Sequence, residues 1–168
     1  MGPEEPERCL IPHVDWELAE ALGSTISAWA HFEYQIDELI WELARLEPEQ
    51  GACLTAQFPT VAARFNALIA LARTQHINDK DIERLNTIRN RSDSLTEKRN
   101  RLVHDPWFYG WDTKASYRLQ KTAKAKLIYR YDIVTKDEIN EMHNKIKQLC
   151  DDFWEIRTVI LHAFWSLP

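Results

Sequence analysis

The sequence predicts an all-α fold, an up-and-down bundle of four helices with one β-hairpin inserted between the third and fourth. Three observations carry that expectation. Only 4 Gly occur in 168 residues, and charged residues alternate with apolar ones at spacings of three and four. The apolar positions then form long, single stripes of the kind one helix face buries. In one stretch alone, at about residues 115–133, the period shortens to two.

The first helix is expected from about Asp15 to Leu46. Leu18, Leu22, Trp29, Phe32, Ile36, Leu39, Ile40, Leu43 and Leu46 recur every three or four residues, and Pro48 and Gly51 would end it. Pro59 suits the first turn of a second helix bearing Val61, Phe65, Leu68, Ile69 and Ala72. Asn78 is a good N-cap for the third, with Asp79 and Asp81 placed to complement its dipole. The stripe of that helix runs Ile82, Leu85, Ile88, Ser92, Leu95, Arg99, Leu102. Pro106 disfavours helical geometry at Asp105, so the helix should stop near Val103 or His104.

Tyr117 and Leu119, then Leu127, Tyr129, Tyr131 and Ile133, alternate with polar neighbours and predict the two strands of the hairpin, with Lys121, Lys124 and Lys126 about its turn. Thr135-Lys136-Asp137-Glu138 has the pattern of a capping box and opens the last helix. That helix sets Ile139, Met142, Ile146, Leu149, Phe153, Ile156, Ile160, Ala163 and Leu167 in steps of three and four, a seam that packs on other helices. Residues 1–12 hold three prolines and read as an extended, poorly ordered lead-in; residues 13–168 read as a single domain.

Composition sets bounds on function. Hydrophobic residues make up 45% and aromatics 11%, enough for a folded core without staples. Cys9, Cys53 and Cys150 are far apart and form no CxxC pair, which suits reduced thiols and a cytoplasmic setting. No apolar run approaches a membrane span. There is no HExxH, no Cys pair, no dense carboxylate cluster and no Gly-rich phosphate loop, so neither a metal nor a nucleotide cofactor is expected.

The net charge is −5, against a general nucleic-acid coat. The charge is unevenly spread, however. Residues 79–130 hold 13 Lys and Arg against 7 Asp and Glu, which leaves the acidity in the rest of the chain. A basic region on an acidic body steers polyanions to one face, although a mixed, solvated surface has the same composition.

Within that basic region lies Arg99-Asn100-Arg101-Leu102-Val103-His104-Asp105-Pro106-Trp107. A permanent cation and a ring that titrates near neutrality, at a helix end, suit the handling of a phosphodiester. Spacing by itself is weak, because Arg8…His13 and Arg157…His162 repeat it. Context selects the middle occurrence. Asn directly follows its Arg, Pro-Trp follows its His, and Asn100 and His104 lie one helical turn apart. The carbonyl end of a helix attracts cations, and Asp105 adds a negative charge beside the ring.

The segment, read as RN-x-x-x-H-x-x-W, resembles the ribonuclease members of the HEPN superfamily (higher eukaryote and prokaryote nucleotide-binding domain), as does the four-helix layout. The match covers about ten positions. It implies a metal-independent endoribonuclease acting as a homodimer, in which the motifs of two protomers face one cleft. His104 would then act as general acid or base, or orient the ribose 2′-hydroxyl. Arg99 would hold the scissile phosphate, and Asn100 would position His104 or the substrate. Arg101, Lys121, Lys124 and Lys126 would contact the RNA strand. Toxin or defence roles, with a cognate antitoxin or regulator as partner, are implied by the resemblance as well. No Tyr stands two residues after His104, where Pro106 lies, so the subtype controlled by modification of that Tyr is not matched.

A non-catalytic binding or regulatory module on the same bundle is the alternative, with His104 capping a helix and Arg99 pairing a carboxylate. Trp29, Trp41, Trp154 and Trp165 lie on or beside helix stripes and read as core or interface. The run Trp107-Phe108-Tyr109, with Trp111, reads as packing of a helix-to-hairpin corner before it reads as a base-stacking platform. Glu33 and Asp37, one turn apart, read as a solvated face that also has the spacing to supply a carboxylate to Arg99 or His104.

Overall fold

Asp15 starts the first helix: its carboxylate accepts from Glu17 N at 3.1 Å and its carbonyl from Ala19 N at 2.8 Å. In a computed structural model of the chain, which describes residues 10–123 and 127–166, the elements follow in the order β1 (Leu10–Ile11), α1 (Trp16–Ala44), α2 (Pro48–Thr55), α3 (Val61–Thr74), α4 (Asp79–His104), β2 (Trp107–Gly110), β3 (Ala115–Thr122), β4 (Ile128–Ile133) and α5 (Lys136–Trp165). The fold is mainly α with a small antiparallel sheet, and helices and sheet each hold more elements than anticipated.

The helix boundaries show what governs them. Helix α1 ends two residues earlier than expected, at a Schellman turn. Arg45 takes a left-handed φ of 54°, Arg45 N donates to Glu42 O at 3.1 Å and Leu46 N to Trp41 O at 3.0 Å. Pro48 therefore does not end α1; it occupies the first turn of α2, and Gly51 lies inside that helix. Pro59 likewise stands outside α3, whose N-cap is Thr60, accepting from Ala63 N at 3.1 Å. The same Schellman pattern closes α3, with His76 at φ 57° and Ile77 N bonded to Ala72 O. Asn78 caps α4 as expected through Asp81 N at 3.0 Å. The capping box of α5 is formed too, with Thr135 N to Glu138 Oε2 at 2.8 Å and Glu138 N to Thr135 Oγ1 at 3.3 Å.

The described residues fall into two compact units. One, formed by Ser27–Leu95 and Lys145–Pro168, is purely helical. Its core is the apolar stripes of α1, α3, α4 and α5, with Trp29, Phe32, Leu39, Phe65, Leu85, Phe153 and Ile156 at no more than 1% exposure. Phe32, Phe65 and Phe153 meet with ring centroids 6.0–6.1 Å apart. Each buried ring of that size contributes about 1.5–3 kcal/mol. Trp41 packs over Gly51 and donates from Nε1 to Thr55 Oγ1 at 3.2 Å. Asp37, expected on a solvated face, is held by Arg64 Nε at 2.9 Å.

The other unit, Met1–Ile26 and Thr96–Asn144, holds all four strands. They form one antiparallel sheet in the order β1-β2-β3-β4. The expected hairpin is β3–β4, in a register that pairs Tyr117 with Ile133 and Thr122 with Ile128. It is extended by β2, which pairs Phe108 with Tyr117, and by β1, which pairs Leu10 with Gly110. Leu10 and Ile11, read as part of an extended, poorly ordered lead-in, are extended as a strand of this sheet. Lys121 lies in β3 rather than in a turn.

On β3, Tyr117 and Leu119 are buried as expected. On β4 the anticipated apolar stripe is not: Tyr129 is 54% and Ile133 59% exposed. Among the described residues β4 is an outer strand of the sheet. None of the helices among the described residues is long and apolar enough to cross a membrane.

Candidate functional site

The candidate motif occupies the last turn and a half of α4. Pro106 pushes Asp105 out of helical geometry, and α4 stops at His104, with Asp105 N still bonded to Arg101 O at 3.1 Å. The carbonyls left over at this end are taken up locally. Trp107 Nε1 donates to Leu102 O at 3.0 Å, which accounts for Trp107 as a corner-packing residue. Leu119 N donates to Pro106 O at 2.9 Å and ties the exit segment to β3.

Asn100 and His104 both face solvent, four residues apart, and so share one face of the helix. Arg99 is half-buried, with its Nε away from water, and its Nη1 donates to Asn100 Oδ1 at 3.0 Å. Asn100 thus fixes one end of the Arg99 guanidinium. At this helix end an amide and an imidazole are thus exposed on one face, and a half-buried cation is bonded to the amide.

Asp105 plays a part different from the one expected. Its carboxylate faces two guanidiniums, Arg101 Nη1 at 3.8 Å and Arg118 Nε at 3.7 Å. At those distances the pairs are ionic contacts rather than hydrogen bonds. Arg118 in turn meets Asp132 at 3.4 Å, and Asp132 meets Arg130 at 2.9 Å. The resulting row, Arg101–Asp105–Arg118–Asp132–Arg130, runs from α4 across the sheet to β4. Its middle members are at most 25% exposed, which strengthens each pair relative to a surface contact. Sequence reading missed this row because its two central links, Asp105–Arg118 and Arg118–Asp132, span 13 and 14 residues, and only the strand register places Arg118 opposite Asp132.

Of the residues expected to contact RNA, Arg101 is engaged by Glu97 at 3.1 Å as well as by Asp105. Lys121 is exposed on β3. Lys124 and Lys126 lie outside the described residues. Of the other two Arg…His pairs, one differs from the motif in environment, since Arg157 stacks 5.0 Å from the Trp154 ring and faces Glu38 at 3.7 Å; Arg8 of the other lies outside the described residues. Trp111 is exposed, with Lys114 Nζ 4.8 Å from its ring centre. His143 on α5 is half-buried, and its Nδ1 is enclosed without a hydrogen-bond partner among the described residues. Nothing in its isolated position in the sequence marks it out.

Among the described residues no three or more His, Cys, Asp or Glu side chains are grouped to hold a metal ion. Comparison with protein-family models, with curated proteins and with solved structures finds no match.

Proposed function

We propose that this chain is a metal-independent endoribonuclease of the HEPN type, built as an up-and-down four-helix bundle with a sheet insertion. It acts in the cytoplasm as a homodimer in which two copies of the motif face one cleft. The observation that carries the reading is the exposure of Asn100 and His104 on one face at the end of α4, with the Arg99 guanidinium bonded to Asn100. A structural His would be expected to be spent on core contacts; His104 and Asn100 are instead turned outward.

The chemistry follows from the donor set. Arg99 binds a non-bridging oxygen pair of the scissile phosphate and stabilises the negative charge that builds there. His104 moves one proton, either from the 2′-hydroxyl that attacks phosphorus or to the 5′-oxygen that leaves, and solvent water exchanges the other, so that the proton lost at O2′ is matched by one gained at O5′. The O2′–P bond forms, the P–O5′ bond breaks, and the products are a 2′,3′-cyclic phosphate and a 5′-hydroxyl. Arg101 and Lys121 bind the flanking backbone electrostatically.

Purified protein is incubated in EDTA with labelled single-stranded RNA and with the same strand carrying 2′-O-methyl groups. Wild type is expected to cut only the unmodified strand, and His104→Ala and Arg99→Ala to lose about two to four powers of ten in rate while keeping their far-UV spectra. Equal cleavage by all three proteins overturns the assignment of the motif. If wild type binds the strand and never cuts it, the chain is a non-catalytic binding module.

A further inference from the structure

Within the helical unit, the turn from α1 to α2 and the end of α5 enclose a half-open cavity of about 410 Å³, a size ordinary for a small ligand. Three aromatic rings line it. Trp41 packs over Gly51, and Tyr34 meets Trp41 edge to face with ring centroids 5.9 Å apart. Trp165 adds a third ring from the end of α5. Tyr34 is 48% and Trp165 60% exposed, so ring surface remains open to a ligand.

The charge of the lining is negative. Glu38, Glu42 and Glu47 share it with one cation, Arg45. Glu38 already faces Arg157 at 3.7 Å and the Tyr34 hydroxyl. Glu42 and Glu47 have no ion pair among the described residues. Arg45 is turned away to the rings of Phe164 and Trp165, 5.4 and 5.9 Å from their centres. Three acids against Arg45 and Arg157 leave one negative charge over. Rings alone would suit an apolar ligand, and carboxylates alone a bare ammonium or a hydrated metal ion. Together they suit a cation whose charge is spread over alkyl groups, because it sheds its water readily and presents positive surface to several ring faces at once.

We infer that this cavity binds a small, monovalent quaternary ammonium compound, held against Tyr34, Trp41 and Trp165 and neutralised by Glu42 and Glu47. The inference does not rest on the ribonuclease reading, and its test reads no RNA cleavage. The probes are choline and dimethylbutanol, its neutral isostere with carbon in place of nitrogen. In calorimetric titration of the full chain, choline should saturate with a Kd of about 1 mM, and the isostere should bind at least about tenfold more weakly. Ethanolamine, with a bare ammonium, should also bind more weakly than choline. Trp165→Leu and Glu42→Gln change side chains outside the buried core and should each weaken choline about fivefold to tenfold, with the midpoint of thermal unfolding little changed. Should either variant lose its folded far-UV spectrum, the comparison of choline with its isostere on wild type decides alone. Choline that fails to saturate by about 20 mM overturns the inference. So does an isostere that binds as well as choline, or a pair of folded variants that bind choline as wild type does. A peptide bearing one trimethyllysine that binds about tenfold more tightly than choline would replace the free compound by a partner's side chain.

Discussion

Arg99 Nη1 donates to Asn100 Oδ1 at 3.0 Å, although consecutive residues on an α-helix leave it about 100° apart. The Arg side chain bends round to the face that Asn100 shares with His104. In the ribonuclease reading Asn100 is a positioning residue, and its two conservative replacements separate. Asn100→Ala removes this bond to the guanidinium and should lower kcat about tenfold to a hundredfold with little change in KM. Asn100→Asp keeps an acceptor for Arg99 but sets a negative charge beside the phosphate, and should raise KM instead. Steady-state cleavage of a short labelled RNA distinguishes the two.

Arg118 stands between Asp105 and Asp132, with 16% of its side chain exposed. Replacing it with Met keeps the aliphatic stem and leaves Asp105 with Arg101 alone and Asp132 with Arg130 alone. Allowing for the solvent that reaches the row, Arg118→Met should cost about 1–2 kcal/mol. A double-mutant cycle with Asp105→Asn, read by urea denaturation, should show coupling between the two positions. Additive effects would mean that the contact contributes nothing.

A Cβ on Gly51 would stand 2.3–2.7 Å from the Trp41 ring. Gly51→Ala must displace the indole and break its bond to Thr55, at a cost of about 1–3 kcal/mol despite the better helix propensity of Ala. The midpoint of thermal unfolding should fall, with the fluorescence of the folded state altered.

His76 is exposed at φ 57°, a conformation that costs a residue with a Cβ and costs Gly nothing. His76→Gly should stabilise the chain by about 1 kcal/mol in equilibrium denaturation. Arg45 has the same backbone geometry but also lies 5.4 Å from the Phe164 ring centre and 5.9 Å from that of Trp165. Arg45→Gly should therefore gain less, or lose, because the cation–π contacts go with it.

Burial, then the charge of Asp151, pushes the Cys150 thiol from an ordinary 9.0 to about 11. The folded chain thus holds this proton more tightly than the unfolded chain does. The associated stability is complete below about pH 8.5, where the unfolded thiol is still protonated. It declines as the pH rises toward 11. Between pH 9 and 11 wild type should lose stability more steeply than Cys150→Val. At pH 8 iodoacetamide should label exposed Cys53 well before Cys150.

The four long helices were legible in the sequence because each carries a long apolar stripe. Asn78, Thr135 and Glu138 do what their spacing implies. Two errors concern prolines: Pro48 was read as a stop and Pro59 as a helix start, whereas Pro48 opens a helix of eight residues, too short for periodicity to reveal, and Pro59 lies outside the next one. Strand β2 was missed because Trp-Phe-Tyr-Gly has no alternation to read. β1 is two residues that only the sheet defines. The candidate motif was nominated by residue type and context, and it lies at the end of α4 where the sequence placed it. Its surroundings were not legible, since Arg118 reaches Asp105 through strand register, and no local pattern encodes that.

The residues just past His104 are each bonded elsewhere: Asp105 to Arg101, Pro106 to Leu119, and Trp107 to Leu102. A helix terminus ordinarily frays, and a ligand that binds there must first pay for stilling it. Here that entropy is surrendered during folding, so an anion arriving at Arg99 and His104 meets a backbone with little freedom left to lose.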